Sequence, residues 1–210
     1  MAGDPIGGEA AASMTGGSSQ IQLRPMGGIR WFLSRLIIPL AALGRDRRPA
    51  VRMGDALNVV NRVLIVLPLD ERRRQHILRQ VFHFKAGFPQ WSLELLFLGG
   101  ETPPGEGGFK GIGVLAAGRE SVSLLGTPRK ALVERLRGHS YDLAIDLSLT
   151  RHPFVPYLLN RIGVPLRLGV DDTGRLRQRL YNLFIRLKDP DDVMNRLVET
   201  IAPICQTGTA

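Results

Sequence analysis

Cysteine is almost absent from this chain: Cys205, near the C-terminus, is the only one in 210 residues. An intramolecular disulfide and a cysteine-based metal cluster are excluded, and a reducing, cytoplasmic setting is the natural expectation. Histidine is scarce too. His76, His83, His139 and His152 show no close ligand pairing. His76 and His83 stand seven apart, which lets them share a helix face, but two surface histidines account for that spacing. No metal and no cofactor is expected. Aromatics make up 6% of the chain, and no nucleic-acid fold signature accompanies the basic residues, so nucleic acid is disfavoured as a partner. No apolar run reaches the ~20 residues of a membrane-spanning helix. No apolar core follows a basic start as in a secretory leader. No internal repeat is evident.

What the chain has in excess is arginine. Of 28 basic residues 24 are arginine, against 19 acidic residues, for a net charge of +9. A fixed charge with fork geometry suits phosphates and anionic lipid headgroups; a GC-rich genome produces the same excess without function. The hydrophobic content of 44% is ample for a core.

Composition divides the chain in three. Residues 1–27 are rich in Gly, Ala and Ser with almost no large apolar side chain, the pattern of a disordered leader. Residues 28–48 form an amphipathic segment and a basic linker: Trp31, Phe32, Leu36 and Ile37 crowd it, Arg30 and Arg35 interrupt it, and Gly-Arg-Asp-Arg-Arg follows. Pro39 would kink a helix here. Two readings stay open: an interfacial helix on an anionic membrane surface, or a helix packed on the domain or on a protein partner.

From residue 61 the pattern becomes regular. Arg62–Leu67 is a continuous apolar run, fit for a strand buried on both faces. Pro68-Leu69-Asp70 turns the chain. Glu71–Lys85 has helical spacing, with Arg72, Arg73, Arg74 and Arg79 among the polar positions, and Gly87 and Pro89 end it. Trp91–Leu98 reads as the next strand, completing a right-handed strand–helix–strand unit. Residues 99–120 are a Gly- and Pro-rich loop with one short element near Ile112–Ala116. Ser121–Leu125 reads as a third strand. Pro128–Arg137 reads as a helix capped by Thr127. Leu143–Leu147 and Leu166–Val170 read as strands, with His152–Arg161, Thr173–Leu187 and Asp191–Ile204 as helices. The expected fold is a single three-layer α/β domain with a mostly parallel sheet over 61–204, preceded by the amphipathic helix.

Several pieces taken together resemble a known family. Arg62-Val-Leu-Ile-Val-Leu-Pro68, then Tyr141-Asp-Leu-Ala-Ile-Asp-Leu-Ser148, then Gly163-Val-Pro-Leu-Arg-Leu-Gly169 and a terminal helix are similar to the N-terminal domain of heptosyltransferase-type glycosyltransferases. The resemblance implies half of a GT-B fold, a Rossmann-like domain on the acceptor side of a two-domain enzyme. It also implies a nucleotide-sugar or lipid-linked glycan as the ligand class. Only six residues follow Ile204, so the family's donor-binding second domain is expected to be missing. In that family a Gly-Asp pair after the first strand resembles a catalytic base. Here Asp70 is the counterpart, without the glycine, and it equally suits a helix N-cap. The Met-Gly-Asp at 53–55 precedes the strand and is a coincidence.

Ser148, Thr150, Arg151 and His152 follow a strand end, where such sheets bind ligands. They are candidates for holding an acceptor sugar or a phosphate, with helix capping as the plainer alternative. No Ser–His–Asp constellation follows from spacing. Gly111-x-Gly113-x-x-Ala116 matches a loose dinucleotide fingerprint but lacks a strand before it. The functional expectation is a glycosyltransferase-like module, non-catalytic or incomplete alone. The alternatives are an active transferase completed by a partner chain, and an accessory protein at the inner face of the membrane.

Overall fold

The computed structural model describes residues 53–99, 109–124, 126–148, 154–170, 181–186 and 192–207. Six strands form one parallel sheet in the order β3-β2-β1-β4-β5-β6. They are β1 (Arg62–Val66), β2 (Ser92–Leu98), β3 (Ile112–Ala117), β4 (Leu143–Asp146), β5 (Leu166–Val170) and β6 (Leu183–Ile185). Among the described residues five helices accompany them: α1 (Met53–Asn58), α2 (Glu71–Gly87), α3 (Lys130–Arg137), α4 (Phe154–Ile162) and α5 (Val193–Thr207).

The continuous apolar runs explain the sheet. Val63 to Leu67 are all fully buried, as a central parallel strand covered on both faces requires. Alternate side chains then point to opposite layers. Val63, Ile65, Leu93, Leu95, Leu143 and Ile145 pack with α1, α2 and α5 through Leu57, Ile77, Val81, Phe84, Met194, Leu197 and Ile201. Leu64, Val66, Leu96 and Ala144 pack with α3 and α4 through Leu132, Leu136, Leu158 and Leu159. The expected three-layer α/β architecture is what forms, and every strand pair is parallel. Each fully buried Leu or Ile contributes roughly 1.5–3 kcal/mol, which makes this double core the main source of stability.

Four local expectations differ from the structure. The third strand is Ile112–Ala117, not Ser121–Leu125; Val122 only forms an isolated bridge with Pro128 beyond a short 3-10 turn at Arg119–Ser121. The apolar side chains of 112–117 reach the sheet first, because β3 pairs with β2 along its whole length. The helix after it starts at Lys130 rather than Pro128. Thr127 does not cap it, because its backbone N–H and hydroxyl are both bonded to Ser123 Oγ, at 3.2 and 2.8 Å. Leu183–Ile185 is strand β6, not the end of a helix, since it pairs with Leu168–Val170 of β5. Arg74 is not on a solvated face: it is 2% exposed, and its Nη1 donates to the carbonyls of Pro68 and Leu69 at 3.3 and 3.2 Å.

The segments Gly163-Val-Pro-Leu-Arg-Leu-Gly169 and Met53-Gly-Asp55 both have structural explanations. Gly163, at φ +80°, ends α4 in the left-handed region. Arg167 is 1% exposed, and its Nε donates to Val164 O at 3.1 Å and its Nη2 to Asn160 Oδ1 at 3.2 Å. At Gly169 a Cβ would lie 2.9 Å from the Phe184 ring and 3.1 Å from Tyr181. Met53-Gly-Asp55 opens α1, where Gly54 faces the Ile204 carbonyl of α5. No described helix is long and apolar enough to cross a membrane.

Candidate functional site at the carboxyl edge of the sheet

Strand order reverses direction between β1 and β4. Chain connections run outward from β1 through β2 and β3 on one side, and from β4 through β5 and β6 on the other. The helices leading away from these two strand ends cover opposite faces, α2 on one and α4 on the other, which opens a crevice at the carboxyl edge. Val66 pairs with Asp146, and Leu147 N–H donates to Val66 O at 3.0 Å. The residues after β1 and those after β4 therefore emerge side by side.

Asp70 lies three residues past Leu67 on an exposed turn. Its Oδ1 accepts the Arg73 N–H at 2.8 Å, so it caps α2. The turn before it, Leu67-Pro68-Leu69, has no glycine, and Pro68 has no N–H to offer. Its carbonyls point to the Arg74 guanidinium instead. A backbone cradle for a diphosphate needs inward N–H groups, and Pro68 contributes none.

Across the crevice, Asp146 is 2% exposed. Its Oδ1 accepts the Ser148 N–H at 2.9 Å, and its Oδ2 accepts the Tyr181 hydroxyl. The carboxylate thereby locks the turn that carries Ser148 and fixes the chain leading into β6. Ser148 is also 2% exposed, and its Oγ has no hydrogen-bond partner among the described residues. A buried hydroxyl without a partner costs about 1–3 kcal/mol, and a ligand hydroxyl or phosphate oxygen seated there would recover that cost.

The structure thus brings Asp70 and Ser148 to the same edge of the sheet. Thr150, Arg151 and His152 lie outside the described residues, as do Arg30, Trp31, Phe32, Arg35, Leu36 and Ile37. Sequence reading missed Glu120, which follows β3 at this edge. Its Oε1 accepts the Gly118 N–H at 3.1 Å and lies 3.4 Å from Ser121 Oγ. Hydrogen bonding from its own backbone, then from Gly118 and Ser121, holds its carboxyl below the usual range despite an opposing effect of desolvation. Placing the third strand nine residues late hid it; the charged pair Arg119-Glu120, just past Leu115-Ala-Ala-Gly118, was the available signal. The loose fingerprint Gly111–Ala116 lies in and just before β3 itself, so it forms no strand-to-helix phosphate turn.

Cys205 is half-buried, and burial pushes its thiol up, away from a reactive thiolate. Among the described residues no group of three His, Cys, Asp or Glu side chains is placed to hold a metal.

No protein-family model matches the sequence, and no curated protein matches it. Among solved structures the chain matches E. coli heptosyltransferase WaaC with ADP, at 21% sequence identity and a TM-score of 0.46. The match covers 68% of this chain and 46% of that one, so the chain spans about half of that protein's length. The fold described above rests on the sheet order and its two helical layers, independently of this likeness.

Proposed function

We propose that this domain is a glycosyltransferase-like, heptosyltransferase-type acceptor lobe that binds a sugar or sugar phosphate at the β1/β4 crevice. On this reading it acts as a binding or assembly module and is not catalytic by itself. The observation that carries the reading is the buried, unpartnered Ser148 Oγ at the point where the sheet order reverses. Two features favour binding over self-sufficient transfer. Pro68 gives the turn after β1 no N–H at that position for a nucleotide diphosphate, and the Pro68 and Leu69 carbonyls are taken by Arg74. The buried carboxylate of Asp146 is already engaged by Ser148 and Tyr181.

Titration calorimetry of the full chain with a panel of sugar 1-phosphates and nucleotide-diphosphate sugars tests this. Sugar-phosphate binding that weakens about tenfold in Ser148→Ala, with the thermal midpoint of the free protein held or raised, is the expected result. Equal binding by Ser148→Ala would remove Ser148 from the site.

A second reading, an active transferase completed by a partner chain, is favoured by the exposure of Asp70 at the crevice edge. One carboxylate oxygen caps α2, and on this reading the other receives a proton from an acceptor hydroxyl. Transfer activity with a partner present, lost in Asp70→Asn, would support it.

A further inference from the structure

The opposite, amino edge of the sheet carries a set of cations that the ligand crevice does not use. Arg62 opens β1, Arg137 closes α3 and Arg161 stands in the last turn of α4. All three are exposed. Their guanidinium groups are fixed by main-chain carbonyls or an aromatic ring rather than by carboxylates. Arg62 Nη1 donates to His139 O at 2.7 Å, and Arg137 Nη2 donates to Arg161 O at 2.6 Å. Arg161 lies 5.9 Å from the Tyr157 ring centre. Lys85 joins them at the end of α2, donating to Pro89 O at 3.0 Å and to Trp91 O.

The acidic groups at this edge are already committed. Asp142 Oδ2 accepts the N–H groups of Asn61 and Arg62, each at 2.9 Å. Glu94 is bonded to the Tyr141 hydroxyl and, at 3.0 Å, to His139 Nδ1. Asp55 of α1 and Glu134 of α3 are exposed carboxylates nearby in the chain, and Glu134 is paired with Lys130 at 3.4 Å. Helix C-termini favour nearby cations, which accounts for Arg137 and Arg161 locally. It does not account for Arg62, which begins a strand.

A second observation concerns where the chain enters. α1 ends at Asn58, four residues before β1 begins, and Gly54 packs on Ile204 in the closing turns of α5. Val59, between α1 and β1, is 70% exposed. In the sequence, residues 28–48, with their aromatic and aliphatic side chains and Gly-Arg-Asp-Arg-Arg, precede α1.

We infer that the amino edge of the sheet, through Arg62, Arg137 and Arg161, is a docking surface for an anionic lipid bilayer. Seated this way, the domain turns its carboxyl-edge crevice away from the lipid. The inference is independent of what the crevice binds. Guanidinium groups pre-positioned by carbonyls lose little side-chain freedom on meeting phosphate headgroups, and each basic residue near an anionic leaflet contributes about 1 kcal/mol.

Flotation of the full chain with vesicles of phosphatidylcholine alone, and of phosphatidylcholine with phosphatidylglycerol, is the test. Binding should require the anionic lipid and decline as salt is raised. The Arg62→Gln/Arg137→Gln/Arg161→Gln variant should bind roughly a hundredfold more weakly, from roughly fivefold per lost charge. The same three positions changed to lysine should retain binding. The lysine variant loses the same guanidinium forks, so a difference between the two reports charge and not folding. Equal flotation of the glutamine variant and the parent overturns the inference. So does equal binding to neutral vesicles, or tighter binding to single-stranded RNA than to anionic vesicles.

Discussion

Asp70 shows how one side chain can hold two roles that a single substitution separates. Asparagine caps a helix about as well as aspartate does, but it cannot accept a proton at neutral pH. Asp70→Asn should leave the urea midpoint nearly unchanged, whereas Asp70→Ala should cost about 1 kcal/mol. If a partner-completed transfer reaction depends on this carboxylate, Asp70→Asn abolishes it with the fold intact. Gly169 gives a sharper stability test. A methyl group there meets the rings of Phe184 and Tyr181 inside 3.1 Å or less, and both rings belong to the chain that reaches β6. Gly169→Ala should destabilise by about 1–3 kcal/mol, read by chemical denaturation. Arg74→Met keeps the aliphatic bulk but strips the donors from the Pro68 and Leu69 carbonyls, at a cost of about 1–3 kcal/mol. These residues differ in how readable they were. The Asp70 cap followed from Asp-Glu-Arg-Arg before an apolar periodicity, a local rule. Arg74 stands in a run of three arginines, and which of them turns inward depends on where the preceding loop folds.

At the scale of elements, α5 is the piece whose loss should matter most. Val193, Met194, Leu197 and Ile201 are essentially inaccessible and close one face of the sheet, and Val198 packs on Gly87 of α2. Leu197→Ala should cost about 2–5 kcal/mol, and a thermal melt measures it. A shift under 1 kcal/mol would mean that this helix is not packed as described. Strand β1 was legible because a strand buried on both faces writes itself as an uninterrupted apolar run; β4 and β5 are such runs with one polar residue each, Asp146 and Arg167. β3 and β6 were not. Ile-Gly-Val-Leu-Ala-Ala carries two alanines and a glycine, and sits at the end of a Gly-rich stretch. Leu183-Phe-Ile follows a basic segment whose spacing suits a helix just as well. Edge strands bury less of themselves, so their local pattern is weaker and pairing with a neighbour settles their conformation.

For the whole molecule, pH is the most informative variable. The Tyr141 hydroxyl is pushed above its ordinary value of 10.0, first by burial and then by its hydrogen bond and charge interaction with Glu94. The folded chain therefore keeps this proton after the unfolded chain has released it. Stability from this group is intact below about pH 10 and falls as pH rises beyond it. The Cys205 thiol, also raised by burial, adds a loss that begins lower, from about pH 8.5. In a Cys205→Ala background the urea midpoint should thus hold to about pH 10 and then drop. Tyr141→Phe should flatten that drop, and an unchanged slope would assign it to other groups.

Local sequence was sufficient for the alternation of buried strands and covering helices, because apolar periodicity and caps are written over a few residues. It also placed Ser148 just past the end of a strand, where it stands. Only the tertiary structure decided that Asp146 is held by Tyr181, 35 residues away, that Ser148 Oγ is left without a partner, and that three arginines from a strand and two helices meet at one edge. Those pairings depend on crossovers that bring distant segments of a parallel sheet together, and no short-range pattern encodes them.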